Sequence, residues 1–202
     1  MTWASGREQR YSAYDADPEE PTVTMDKPGR VAHQVRWHSG ADLGLLVLRV
    51  VLGVIFIGHG AQKMFGVFGG PGISGAAAFL ATNGFQQSSL LAGLTAVTEL
   101  GGGAMLVLGA FTPLAAAGLL AIMINAIWLK LPGGFFLAPE GRGYEFELVL
   151  AGAATAVVLT GAGRLALDRV LPLFRRSAAI GFPCLVLGVG AAVAARLLLH
   201  TP

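Results

Sequence analysis

Six ionisable residues lie within or at the edges of long apolar runs: Arg49, His59, Lys63, Glu99, Glu145 and Glu147. An imidazole that titrates near neutral pH, an ammonium and a carboxylate are the parts of a proton relay. They also suit a site that hydrogen-bonds a carbonyl-bearing ligand such as a quinone. On a helix turning about 100° per residue, Arg49, Gly53, Phe56, His59, Gly60 and Lys63 share about one third of the circumference. They form a polar stripe, and His59 and Lys63, four apart, lie one above the other. Asn125 and Trp128 near the end of one later run, and Tyr144, Glu145 and Glu147 at the start of the next, add further polar groups.

Each of these residues also has a plainer reading. Arg49 and Glu99 could be a buried ion pair that fixes helix register. Lys63 could snorkel to headgroups, and Trp128 could be an interfacial anchor. Small residues at Ala92/Ala96, Thr98/Gly102 and Gly152/Ala156 suit close helix packing. The candidate polar site is therefore Arg49, His59, Lys63, Glu99, Asn125, Glu145 and Glu147. His59, Glu99 and Trp128 are the candidate contacts for a quinone.

The elements that must position these residues follow from composition. The chain has 202 residues, 54% hydrophobic and 13% charged, about half the charge of a typical soluble domain. Eleven of its 26 charged residues fall in the first 41 positions. The remainder carries too little charge to cover a water-facing surface. Five apolar stretches follow, at 43–65, 90–108, 114–131, 144–160 and 178–199. Each has a length suited to crossing roughly 30 Å of hydrocarbon as a helix, and none alternates with the period of a strand. The expected fold is all-α: a polytopic transmembrane bundle with a four-helix core over 42–172 and an additional span over 173–202. Residues 1–41 are expected to be a disordered, Pro-punctuated tail, and the uncharged, Gly-rich segment 66–89 a re-entrant or interfacial loop.

Lysine and arginine set the expected orientation. With the N-terminus cytoplasmic, the inner side holds Lys27, Arg30, Arg36, Arg164, Arg169, Arg175 and Arg176, and the outer side holds Lys63, Lys130, Arg142 and Arg196. Lys63 then lies near the outer interface, with His59 about 9 Å and Glu99 about 14 Å below it; Arg49 is about 9 Å from the inner one. Either His59 or Arg49 could be the counter-charge of Glu99.

Other chemistry is poorly supported. The single cysteine, Cys184, rules out an intrachain disulfide and reads as packing. No ligand-spaced His or Cys pair suggests a metal. Gly69-Gly70-Pro71-Gly72 lacks the lysine and the strand–helix context of a phosphate loop. A net charge of +2 gives no reason to expect nucleic acid.

Arg49-x9-His59-Gly60-x2-Lys63-x2-Gly66, followed by Thr98-Glu99-x-Gly101-Gly102 and Gly143-Tyr144-Glu145-x-Glu147, resembles the DoxX family of small bacterial membrane proteins over about residues 42–170. The resemblance implies a four-helix membrane core. It also implies association with thiosulfate:quinone oxidoreduction, or a scaffold role beside a sulfurtransferase and a superoxide dismutase in oxidative-stress defence. The leading expectation is a non-enzymatic subunit of a redox or respiratory complex in the bacterial plasma membrane, partnered by such proteins or by cytochromes. A quinone-interacting subunit is the alternative, and a small-molecule or proton transporter the third.

Overall fold

The structure, a computed structural model, describes residues 24–27, 30–32, 39–137, 143–170 and 177–200. The chain divides into two units, residues 1–38 and 39–202. In the first, strands β1 (Thr24–Lys27) and β2 (Arg30–Ala32) pair antiparallel, with Met25 opposite Val31. The other residues of this unit, which carry most of the expected disordered tail, lie outside the described residues. Residues 39–41, assigned to the tail from sequence, open the first helix of the second unit.

The second unit is helical. Its helices are α1 (Ser39–Phe65), α2 (Gly72–Thr82), α3 (Ser88–Leu108), α4 (Thr112–Lys130), α5 (Glu145–Thr160) and α6 (Ser177–Leu199). Helix α1 packs on α3, α3 on α4, and α4 on both α5 and α6. Leu52, Phe56, Leu106, Leu119, Val157 and Val158 are buried between them, and Cys184 joins the same core. Small residues set the distance between α1 and α3. A Cβ on Gly53 would come within 2.6 Å of the Gly103 carbonyl oxygen, so the two backbones touch where only glycine fits.

Four helical segments are long and apolar enough to cross a membrane: Ser39–Phe65, Ser88–Leu108, Thr112–Gly133 and Ile180–Leu199. Their outward faces carry side chains more than half exposed, among them Val47, Val51, Leu90, Leu94, Phe182 and Leu187. Such a surface is stable against lipid rather than water. The expected span over 144–160 is the exception, because α5 has 16 residues and falls short of a standard crossing. It nevertheless runs the length of the bundle. Phe146 at its start lies beside His59, and the Arg164 amide, four residues past its end, donates to Asp42 in the first turn of α1 at 2.9 Å.

The loop expected over 66–89 needs correction, since it contains α2. Its glycines punctuate the helix rather than dissolve it. Gly66, Gly69, Gly72 and Gly84 take positive φ around the helix, while Ala76, Ala77, Ala78, Leu80 and Ala81 are good helix formers inside it. Helix α2 packs on α3 and α1, beside the C-terminal end of α6, where the Gln86 amide donates to the Leu199 carbonyl at 2.7 Å.

Candidate functional site

The polar residues separate into two groups at opposite ends of the bundle. At one end Arg49 is fully buried. Its Nη1 donates to the Leu106 carbonyl at 2.9 Å and its Nη2 to the Leu165 carbonyl at 2.6 Å. Asp168 lies close enough to interact electrostatically with the guanidinium. The Asp168 carboxylate accepts from the amides of Phe111 at 2.6 Å and Thr112 at 2.9 Å, capping α4. Gly109 ends α3 with φ +68°, and a side chain there would strike both Arg49 Nη1 and Ala166. Arg49 therefore does not pair with Glu99. It joins α1 to the end of α3 and to the 165–168 turn.

Glu99 lies halfway along α3, is 1% exposed, and is tied to the other end by an ion pair with Lys63 in the last turn of α1. Its counter-charge is neither His59 nor Arg49 as the direct partner, because the long Lys63 side chain reaches back along α1 to it. His59 still adds an electrostatic interaction. Glu99 Oε1 is taken by Lys63, whereas Oε2 is buried and accepts no hydrogen bond from any described residue. Gly60 makes this approach possible: a Cβ there would lie 2.7 Å from the Leu100 nitrogen, one residue beyond Glu99.

A second ion pair at the same end joins Lys130 Nζ to Glu147 Oε1 at 2.6 Å. Glu145 turns to the loop instead, accepting from the Leu137 amide at 2.8 Å. The Arg196 guanidinium sits 5.0 Å from the Trp128 ring centroid, a cation–π contact between α6 and α4. Asn125 joins the same two helices, donating through Nδ2 to the carbonyls of Ala121 at 3.1 Å and Ala192 at 3.2 Å.

Between α2, α3, α4 and α6 lies a cavity of about 400 Å³. Its wall is apolar except for Lys63, Thr95, Thr98 and Asn125. Phe79, Leu80 and Phe85 form the α2 side, and Ala191, Ala192 and Ala195 the α6 side. His59 lies elsewhere, in a shallow groove with Gln62, Phe68 and Phe146; its ring is tilted 56° to Phe146 at 6.1 Å. The structure thus brings Lys63 and Asn125 together on one cavity, with Glu99 behind Lys63. It places His59 in the groove, Trp128 under Arg196, and Arg49 at the far end. Among the described residues no His, Cys, Asp or Glu cluster is arranged to hold a metal ion.

Sequence reasoning missed Asp168 and Lys130 as partners of buried charges. Asp168 had one available signal, being the only acidic residue after Glu147 in a stretch otherwise basic. Lys130 had another, as a cation ending one span just before the acidic start of the next. Nothing in the sequence marked the cavity.

Fold and site together define a multi-pass membrane protein with a buried ion pair beside a lipophilic cavity. The DoxX family model matches residues 44–131. A Bacillus subtilis (strain 168) protein named "Putative oxidoreductase CatD" is 32% identical over 128 residues, covering 63% of this chain and 86% of that relative. The chain belongs to the DoxX family. No solved structure matches it significantly. The matched segment contains Lys63, Glu99 and Asn125, while the α6 wall of the cavity lies beyond it.

Proposed function

We propose that this protein is a subunit of a membrane redox complex whose own contribution is a binding cavity for the head of a quinone-type carrier. The observation that supports this reading best is the cavity between α2, α3, α4 and α6, apolar but offering an ammonium and an amide. Binding sites for small organic ligands are commonly of this volume and this mixture. The residues present fit such a group. Lys63 and Asn125 are among the cavity's few polar residues, the lysine can donate to a carbonyl oxygen, and the apolar wall suits the ring and its hydrocarbon tail. The name of the Bacillus subtilis relative, an oxidoreductase, agrees with this.

A quinone, when bound, supplies two-electron, two-proton chemistry at its two oxygens. The chain's own residues bind and orient it. Glu99 holds the Lys63 ammonium in place from behind, so the donor is fixed before a ligand arrives. The buried carboxylate keeps a second oxygen, Oε2, free to hold a proton. Electrons would be exchanged with a partner protein, of the sulfurtransferase, dismutase or cytochrome kind that the resemblance implies. The lysine and arginine distribution supports a plasma-membrane protein with a cytoplasmic N-terminus.

The test is purification from native membranes in mild detergent, with organic extraction of bound lipids and mass spectrometry of co-purified proteins. The expected result is bound quinone together with a redox partner, and loss of the quinone in the Lys63→Met/Glu99→Leu double variant. A protein that neither carries quinone nor binds an added benzoquinone with a ten-carbon chain would overturn the reading.

A further inference from the structure

The cavity is closed at the end of the bundle and open on its flank. Phe85 lines it and is buried, and the neighbouring Gln86 amide donates to the Leu199 carbonyl at 2.7 Å, where α6 ends. The Phe85 ring also meets the His200 ring edge-on, with centroids 5.1 Å apart. These contacts tie the turn between α2 and α3 to the tip of α6. Away from the tie the two walls part. Helix α2 packs on α3 and α1, and α6 on α4 and α5, but α2 and α6 do not pack along their lengths. Phe79, Leu94 and Ala191, one from each of three walls, line the cavity and are exposed, Phe79 to 55% and Leu94 to 60%.

The gap opens onto hydrocarbon. Gly118 and Leu129 both line the cavity, so it extends about 16 Å along α4, and α4 and α6 are both long and apolar enough to cross a membrane. Helix α2 carries no charged residue, nor does α3 before Glu99 or α6 before Arg196. A short helix lying on a bundle in water is polar on its outer side, whereas α2 exposes Ile73 and Phe79. Charge inside the cavity is balanced. Among the described residues Lys63 is the one charged group of the wall, and Glu99 neutralises it. A ligand with a charge of its own would bury that charge uncompensated.

We infer that the cavity loads sideways out of the lipid, through the gap between α2 and α6, and that it takes an uncharged amphiphile. This rests on reading the cavity as a carrier site, and it adds the route of entry and the charge class of the ligand. The head lies against Lys63, and the tail runs along α4 towards Gly118.

The test uses the full-length protein in lipid vesicles, with Cys184→Ala and a single nitroxide spin label on Phe79→Cys or Leu94→Cys. Val51→Cys, on the outward face of α1, is the lipid reference. Both gap labels are expected to collide several-fold more often with oxygen, which concentrates in lipid, than with a water-soluble nickel chelate. Better access for the nickel chelate overturns the lateral route and leaves the carrier site intact. Three compounds are then added: a benzoquinone with a ten-carbon chain, the same ring without the chain, and decanesulfonate, a permanent anion. The chain-bearing quinone is expected to slow both gap labels and leave the Val51 label unchanged. The bare ring and decanesulfonate are expected to require at least roughly tenfold higher concentrations for the same effect. Equal potency of decanesulfonate overturns the uncharged class, and equal potency of the bare ring overturns the role of the tail. No slowing by any compound, at labels that still meet oxygen, overturns the carrier site and with it the ligand class.

Discussion

The two ends of the bundle bury charge in different ways. At the Arg49 end the charged groups bond to backbone: the guanidinium to two carbonyls, and the Asp168 carboxylate to two amides. Backbone partners cannot rotate away, and Gly109 and Ala166 close over the guanidinium. At the Lys63 end the charges pair side chain to side chain, Lys63 with Glu99 and Lys130 with Glu147. One oxygen of each of these two carboxylates has no partner among the described residues, and a cavity opens beside Lys63. Arg49 Nε and Thr112 Oγ1 also lack partners among the described residues, so an orphaned atom alone does not distinguish the ends. What distinguishes them is an adjoining space that a ligand can enter. A charge locked to backbone in a filled region holds helices together, whereas a charge held by a movable side chain beside a cavity is available to a ligand.

The largest effect should come from breaking the backbone-bound end. Arg49→Leu removes two buried charged hydrogen bonds and leaves the Leu106 and Leu165 carbonyls unsatisfied. A loss of about 4 kcal/mol is expected, read as a drop in folded yield and in unfolding midpoint in detergent. Asp168→Leu added to it should recover little, because the α4 cap is then lost as well. Full stability in Arg49→Leu would show that the two ends do not differ as described.

A smaller effect is expected at the other end, and it should be reversible. Lys63→Met strands a buried carboxylate and is expected to cost about 3 kcal/mol, the low end for a buried pair because the lysine is partly exposed. Lys63→Met/Glu99→Leu should regain most of it, since both members of the pair are gone. A double-mutant cycle on unfolding measures this, and a double variant no more stable than Lys63→Met would place Glu99 in a structural role of its own. The smallest effect belongs to Arg196→Ala. It should lose about 0.5–1 kcal/mol from the contact over Trp128 and leave carrier binding unchanged, because neither residue lines the cavity. Weakened binding in that variant would extend the site to the end of α6.

Much of the helical framework was legible from residue type. The apolar runs, the positions of their ends and the burial of Glu99 follow from composition and spacing, because a charge inside a long apolar segment must find a protein partner. Helix α2 was hidden by its flanking glycines, which make a short helix look like a loop. The partner of Glu99 does not follow from depth along a helix, which rise per residue gives only for Cα positions. A lysine side chain extends over several ångströms, so Lys63 reaches a carboxylate that rise per residue assigned to its neighbours.

What the sequence determined by itself is therefore the solvent and the secondary structure: a lipid-facing helical bundle with a few buried charges on α1 and α3. Hydrophobicity and hydrogen-bond saturation are local properties of a chain, and they fix those features without reference to the rest of the fold. Only the tertiary structure decided which charge meets which, that Arg49 holds the bundle while Lys63 lines a cavity, and that Asn125 ties α4 to α6. Those outcomes depend on rotation about each helix axis and on how closely α1, α3, α4 and α6 approach. Both are set by side-chain packing between segments as far apart in sequence as Asn125 and Ala192.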